Sequence, residues 1–337
     1  MISDLIKKLL SGGKLTVYET KTAFEEIMED KVSPILTSAF LTALGFSGET
    51  AEEIYAAALV LREKATSLEF HRNIIADIVG TGGDYKGTFN ISTASALLSS
   101  SCGVPVAKHG NRSVSSHCGS ADILENLGME IKIPPGIAIQ MLERFGFTFL
   151  FAPLYHPAMK QIASIRKELG FKTIFNILGP LCNPAKANVL LLGVSDMTLF
   201  KIIPEILLRI GVKRAWVCLG EDGIDEITLT DKTYIAEVTD KIEKFQLRPE
   251  DFGMKRCLLK DIAGTTPSEN AEILKRIFLG KEKGPKKDIV LLNTASLLYI
   301  SGQSLNITDG IELAENSIKS GRAISHLFRI IEFSKEK

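Results

Sequence analysis

The chain carries no net charge: Lys plus Arg number 40 and Asp plus Glu number 40. No overall field draws it to nucleic acid or to an acidic membrane, so any positive site has to be local. Cysteine is sparse. Cys102, Cys118, Cys182, Cys218 and Cys257 make no CxxC pair, which argues against structural zinc and against a disulfide framework. Long apolar runs are missing as well. The richest stretch, residues 188–210, is broken by Asp196, Lys201, Pro204, Glu205 and Arg209, and no membrane span fits there. The opening MISDLIKKLLSGGKL mixes acidic and basic residues among its apolar ones and lacks the apolar centre of a signal peptide. A cytoplasmic enzyme without a nucleic-acid or membrane partner is the expectation.

What is present is enough to bury a large core. The 337 residues are 45% apolar and 24% charged, as in an ordinary globular protein of one large and one small domain, or of two medium ones. Residues 1–70 read as helices only. Ile2, Leu5, Ile6, Leu9 and Leu10 recur at helical spacing before Gly12-Gly13. Thr16 with Glu19, Thr22 with Glu25, and Thr50 with Glu53 have capping-box spacing. Ser33-Pro34 suits a cap and first turn, and Gly45 a helix end. Mutual packing is the plain reading of these helices, and an added role as a dimer surface is the alternative.

From about residue 74 the texture changes, and short apolar runs alternate with helical patterns. Strands are expected at 75–79, 104–107, 130–133, 148–151, 189–194, 215–219, 226–229 and 234–238. Helices are expected at 93–100, 121–127, 135–145, 158–169, 197–210, 270–279 and 311–320, and the length of the run 288–300 favours a buried helix. Strands separated by helices imply a largely parallel sheet covered on both faces. The segment 158–182 looks helical but lies mid-chain, and so could cross between the two parts.

Three polar islands carry the chemistry. In the first, Ile78-Val79 enters the turn Gly80-Thr81-Gly82-Gly83-Asp84. Tyr85 stands where a G-x-G-x-x-G fingerprint needs its third glycine, and the G-x-x-x-x-G-K-[ST] phosphate loop does not match either. The turn alone is a tight turn. Thr88, Asn90, Ser92 and Thr93 beside it could donate to pyrophosphate oxygens, and Ser92 could ligate a hard cation; the alternative for Asn90 and Ser92 is simple N-capping. Lys108-His109-Gly110-Asn111-Arg112 follows a buried-looking run, and cations at a strand end suit an anionic ligand better than a core. His109 is as readily structural as catalytic. Cys118 lacks any marked base or orienting partner. The second island, 152–182, holds His156-Pro157 at a helix start, Arg166 on that helix, and a Gly179-Pro180 turn. The third holds Asp225-Glu226 at a strand start, either surface acids or ligands of Mg²⁺ shared with phosphate.

In order and spacing, these motifs, with Gly119-Ser120-Ala121-Asp122, Asn176-Ile177-Leu178-Gly179-Pro180 and Gly223-Ile224-Asp225-Glu226, resemble the anthranilate phosphoribosyltransferase family over nearly the whole chain. The resemblance implies transfer of phosphoribose from phosphoribosyl pyrophosphate to anthranilate, a step of tryptophan biosynthesis. It implies an α/β fold with a small all-helical N-terminal domain (1–70, joined by helices from about 158–182) and a large α/β domain (71–337) with a central mixed, mostly parallel sheet, like the pyrimidine nucleoside phosphorylases. It also implies a homodimer through the helical domain.

By the same resemblance, Gly80, Gly83, Asp84, Thr88, Asn90, Ile91, Ser92, Thr93, Lys108, His109, Gly110, Asn111, Arg112, Ser113, Val114, Ser115, Ser116 and Ser120 would surround the donor. Ser92, Asp225 and Glu226 would hold Mg²⁺. Gly80, Asn111, His156, Arg166 and Pro180 would serve anthranilate. Lys108 would steady the leaving pyrophosphate, and Asn111 and Arg166 would orient the acceptor. The chain departs from the family at Leu219-Gly220, where His-Gly is common, and at His117-Cys118, where a basic residue and Ser are common. A pyrimidine nucleoside phosphorylase and a catalytically inactive nucleic-acid-binding relative are the rival readings.

Overall fold

The computed structural model describes residues 1–113 and 118–336. Four helices open the chain: α1 (Ile2–Leu10), α2 (Val17–Met28), α3 (Pro34–Ser47) and α4 (Ala51–Lys64). Two of the three capping boxes form. Thr16 N–H donates to Glu19 Oε2 at 2.8 Å, while Glu19 N–H donates to Thr16 Oγ1 at 3.2 Å; Thr50 and Glu53 repeat the exchange at the same distances. Each box satisfies two N–H groups that a helix start leaves orphaned. Thr22 lies inside α2 and donates to the Tyr18 carbonyl instead. Helix α3 passes Gly45 and stops at Gly48.

The rest of the chain runs β1 (Ala76–Gly80), α5 (Ile91–Ser101), β2 (Val106–Gly110), α6 (Ser120–Asn126), α7 (Pro135–Phe145), β3 (Phe147–Phe151), α8 (Ala152–Tyr155), α9 (Lys160–Leu169), α10 (Ile174–Leu181), β4 (Val189–Gly193), α11 (Met197–Ile210), β5 (Arg214–Gly220), β6 (Thr233–Val238), β7 (Ile242–Leu247), α12 (Pro267–Phe278), α13 (Pro285–Ile300), α14 (Ile307–Lys319) and α15 (Arg322–Phe333). The strand order is β3-β2-β1-β4-β5-β6-β7. The first five strands pair in parallel, and β6 and β7 add antiparallel. The sheet is therefore mixed and mostly parallel.

Both faces of the sheet are covered, and the strands show it by alternation. On β4, Val189 and Leu191 enter one core with α5 and α13, while Leu190 and Leu192 enter the other with α11 and the N-terminal helices. The second core runs without a break from α1–α4 through Ile162, Ile165, Phe175 and Leu178 to the sheet. Helices α9 and α10 pack against α3 and α4. No helix among the described residues is long and apolar enough to cross a membrane.

Two expected strands do not form. At 130–133 the alternation is real, since Ile131 and Ile133 are buried, but no ladder accepts the segment; instead Tyr155 donates to the Ile133 carbonyl at 2.6 Å. At 226–229 side chains replace the ladder. Ile227 N–H donates to Asn293 Oδ1 at 3.1 Å, and Asn293 Nδ2 returns a bond to the Ile227 carbonyl at 2.9 Å. Asp225 and Glu226 thus sit in a loop rather than at a strand start. The expected helix 158–169 divides into a 3₁₀ turn, Pro157–Met159, and α9. Gly179 and Pro180 lie in the last turn of α10 rather than in a loop.

Candidate active site

Strand β1 lies between β2 and β4: the chain runs outward from β1 to β2 and β3, then crosses back to place β4 on the other side of β1. That makes the carboxyl end of β1 a topological switch point, where an open α/β sheet leaves a crevice for ligands. Two glycines shape the crevice. A Cβ on Gly80, the last residue of β1, would overlap the Asp225 carboxylate, and one on Gly193, the last residue of β4, would overlap the Asp225 backbone. Their bare backbones let the Asp225–Glu226 loop lie across the strand ends. Asp225 Oδ2 then accepts the Gly82 N–H at 2.8 Å, fixing the glycine turn to the loop.

The N-terminus of α5 faces the same space. Ser92 N–H donates to Glu226 Oε1 at 3.1 Å, and Lys108 Nζ reaches Ser92 Oγ at 3.4 Å while donating to the Ile78 carbonyl at 2.7 Å. Asn90 occupies the cap position of α5 but makes no side-chain cap. Its amide donates to the Cys118 carbonyl and its oxygen accepts from Asn270, both at 3.0 Å. The N-capping alternative therefore fails for the Asn90 side chain.

A polar cleft of about 410 Å³ results, lined by Gly80, Gly83, Asp84, Thr88, Asn90, Ile91, Ser92, Thr93, Lys108, His109, Gly110, Asn111, Arg112, Ser113, Ser120, Asp225 and Glu226. Val114, Ser115, Ser116 and His117 lie outside the described residues. Arg112 reaches the cleft wall, yet its guanidinium pairs with Asp122 at 3.1 Å and Glu125 at 2.7 Å. Ser113 N–H and Gly119 N–H both donate to Asp122 Oδ2, at 3.0 and 2.9 Å, which shapes the start of α6.

A second cavity of about 540 Å³ adjoins the first, and Gly80, His109, Gly110 and Asn111 line both. Its walls are mainly apolar, with Pro153, Met159, Phe175 and Pro180 joined by His156 and Arg166. Burial holds Arg166 below its usual range, and no carboxylate shares in that shift. Its nearest polar partner is neutral, Asn176 Oδ1 at 3.4 Å, and its guanidinium lies 5.7 Å from the Phe175 ring centroid. His109 and His156 stack obliquely at 5.1 Å. Burial pushes His109 down to about 3, with His156 adding to the effect, and pushes His156 to about 4. Both imidazoles are neutral near pH 7, and neither Nε2 has a hydrogen-bond partner among the described residues.

The acids are strongly perturbed. Burial first, then the charge of Asp84, lifts Asp225 to about 6; burial and Asp225 carry Glu226 well above its ordinary value. Burial also lowers Lys108, against the pull of Asp77 and Glu226. A divalent cation would relieve this crowding of carboxylates. The donors present — Asp225, Glu226, Asp84 and the Ser92 hydroxyl — are hard oxygens, which fit Mg²⁺. No group of three His, Cys, Asp or Glu ligands converges among the described residues. Mg²⁺ commonly uses one or two carboxylates and completes its shell with water and substrate phosphate.

Several lining residues escaped the sequence reading. Gly82, Tyr85, Phe89, Gly264 and Asn270 join the polar cleft, and Met159, Phe175 and Asn176 the apolar one. Asn176 stood within a recognised motif. Asn270 lay in the segment Glu269-Asn270-Ala271, part of the family resemblance but given no role, and Gly264, far along the chain, had no local signal.

The two parts of the chain each match a known family model. Residues 3–65 match the helical bundle domain of a glycosyl transferase family, and residues 72–324 its a/b domain. Fold and cleft together thus define a two-part glycosyl transferase. Among curated proteins, the anthranilate phosphoribosyltransferases of Methanobrevibacter smithii and Ruminiclostridium cellulolyticum are each 48% identical over 335 residues, covering 99% of this chain and 99% and 98% of theirs. Among solved structures, the enzyme from Thermus thermophilus superposes with a TM-score of 0.92 at 41% identity, covering 99% of this chain and all of that one. The Saccharomyces cerevisiae enzyme in complex with PRPP and Mg also gives 0.92, at 32% identity and 99% and 97% coverage. The chain belongs to the anthranilate phosphoribosyltransferase family.

Proposed function

We propose that the joined cavities carry out the family's reaction, moving the 5-phosphoribosyl group from phosphoribosyl pyrophosphate to the amine of anthranilate and releasing pyrophosphate, in tryptophan biosynthesis. One observation carries this reading. A polar cleft at a helix N-terminus meets an apolar cavity whose arginine has no acidic partner among the described residues, and the two join at Gly80 and Asn111. The first suits an anionic sugar phosphate. The second suits a flat aromatic acid, whose carboxylate Arg166 would receive.

The acceptor amine is bound to an aromatic ring and is neutral at pH 7, so attack needs no strong base. The difficult event is departure of pyrophosphate from the anomeric carbon through an oxocarbenium-like transition state. Lys108 and the N–H groups of the glycine turn would meet the charge growing on the leaving group, and losing one such donor typically costs about 3 kcal/mol. Arg166 and Asn111 would orient the acceptor, which is catalysis by positioning. The neutral His109 and His156, with Pro180, would line its route. Ser92, Asp225 and Glu226 would hold Mg²⁺, which when bound neutralises phosphate charge. Ile91, Thr93, His109, Gly110, Arg112, Ser113, Val114, Ser115, Ser116 and Ser120 complete the proposed donor site.

We also take residues 1–70 with the helices of about 158–182 as one domain and 71–337 as the other; the packing of α9 and α10 on α3 and α4 supports that division. A homodimer through the helical domain fits the exposed Leu10, Tyr18, Ile35 and Phe46, and light scattering would test it. A cytoplasmic setting suits the free thiols of Cys102, Cys182, Cys218 and Cys257. The deciding assay mixes protein, anthranilate, phosphoribosyl pyrophosphate and Mg²⁺, and follows loss of anthranilate fluorescence against pyrophosphate released. Loss requiring every component, in equal amount to pyrophosphate, is expected. No loss from folded protein, with phosphorolysis of thymidine instead, would overturn the reading in favour of a nucleoside phosphorylase.

A further inference from the structure

The glycine turn carries one costly residue, Tyr85, near two glycines that take positive φ freely. Gly82, Gly83 and Tyr85 have φ of 68°, 71° and 54°, so three of four successive residues lie in the left-handed region. For Tyr85 that region is unfavourable, and Tyr85 is also 72% exposed, so no core holds it. Such a backbone persists only where its surroundings over-determine it. On the sheet side the turn is held by Asp225, through the Gly82 N–H.

On the outer side it is held by one residue from another part of the chain. Lys172 Nζ donates to the Gly83 carbonyl at 2.9 Å and lies 5.2 Å from the centroid of the Tyr85 ring. A Cβ at Gly83 would overlap the end of the Lys172 side chain, which would have to swing aside. Lys172 itself is anchored. It sits between Gly170, which caps the C-terminus of α9, and Thr173, whose N–H donates to Asn176 Oδ1 at 3.1 Å at the start of α10. Both helices pack on the N-terminal bundle.

We infer that Lys172 is a positioning residue for the donor site: it clasps the Gly82–Gly83–Tyr85 turn from the helical side and holds the turn's N–H groups where a phosphorylated ligand meets them. This rests on the proposed function only for the identity of that ligand. Lys172 does not line the polar cleft; it acts through the turn.

The test compares wild type, Lys172→Met and Lys172→Arg in the full-length protein. Amide hydrogen exchange of residues 82–85 is measured without ligand, and calorimetry measures binding of phosphoribosyl pyrophosphate with Mg²⁺. In Lys172→Met, exchange of the turn is expected to rise at least fivefold and the donor Kd about tenfold, with the thermal midpoint and the anthranilate KM near wild type. Lys172→Arg, which keeps a donor to Gly83, is expected to restore both to within about threefold. Unchanged exchange in Lys172→Met would overturn the clasp. Faster exchange with unchanged donor affinity would overturn its role in positioning. Weaker binding with unchanged exchange would make Lys172 a direct contact and also overturn the inference. If wild type binds no donor, the proposed function fails, while the exchange arm still decides whether the clasp exists.

Discussion

The Asp225 carboxylate occupies the space that a side chain at Gly80 would need. Any side chain at the last residue of β1 would thus compete with the acid loop after β5 for the same space. Gly80→Ala should push Asp225 off the glycine turn, break its bond from Gly82 and lower kcat/KM for the donor at least about a hundredfold, the scale set by losing one charge-stabilising donor. Steady-state kinetics at saturating anthranilate checks it, and wild-type values would show that Asp225 can move at no cost.

Arg166 is expected to serve the acceptor alone. Removing a hydrogen bond to a charged group costs about 1.5–3 kcal/mol. Arg166→Ala should therefore raise the anthranilate KM by about ten- to a hundredfold, with the donor KM little changed. An unaltered anthranilate KM would remove Arg166 from that site.

Ser92, Asp225 and Glu226 are expected to act together on the metal. Ser92→Ala should raise the Mg²⁺ concentration needed for half-maximal activity several-fold. Combined Asp225→Asn and Glu226→Gln should abolish metal-dependent turnover. Ser92 N–H donates to Glu226, so the effects of the three changes should not add. Turnover retained at low Mg²⁺ in the double variant would place the ion elsewhere.

His326 bears on stability away from the cleft. Its Nε2 lies 3.0 Å from the Ser100 hydroxyl, and burial, with Arg329 and Arg322 nearby, lowers it to about 4. Below about pH 6.5 the unfolded chain takes up a proton that the folded chain refuses until about pH 4. Stability should therefore fall across that window. His326→Gln should lose less over the same window, by roughly 2 kcal/mol. Denaturant melts at pH 7 and pH 4.5 give the comparison, and equal losses in both proteins would contradict the assignment.

The polar cleft was largely legible because its chemistry lies in short runs that follow strands. Gly80 through Asp84 and Lys108 through Arg112 announce a turn and a cluster of cations without help from the fold. The acid pair was visible too, but its setting was not. Residues 226–229 alternate apolar and polar like a strand, yet Thr228 is buried along with Ile227 and Leu229, so the pattern reports residue types and not a ladder. Asn293, from α13, supplies the hydrogen bonds that a neighbouring strand would have made. Strand β7 was missed for the converse reason: Glu243, Lys244 and Gln246 mark an exposed edge, which lacks the apolar signal of the central strands. Helix α15 was missed as well, although Leu327, Ile330 and Ile331 bury one of its faces.

By itself the sequence determined the helical start, the alternation that makes a covered sheet, the capping boxes and the residue types that can meet phosphate and a carboxylic acid. These are local matters of propensity, periodicity and chemistry. Only the tertiary structure decided that Asp225 lies over Gly80 and Gly193, that Asn270 supports Asn90, that Arg166 meets no carboxylate among the described residues, and that Lys172 reaches the glycine turn. The three joins among these link residues from tens to 180 positions apart. Such pairings are set by the order of strands and by which side chains find room at the strand ends, and no window of the chain contains both partners.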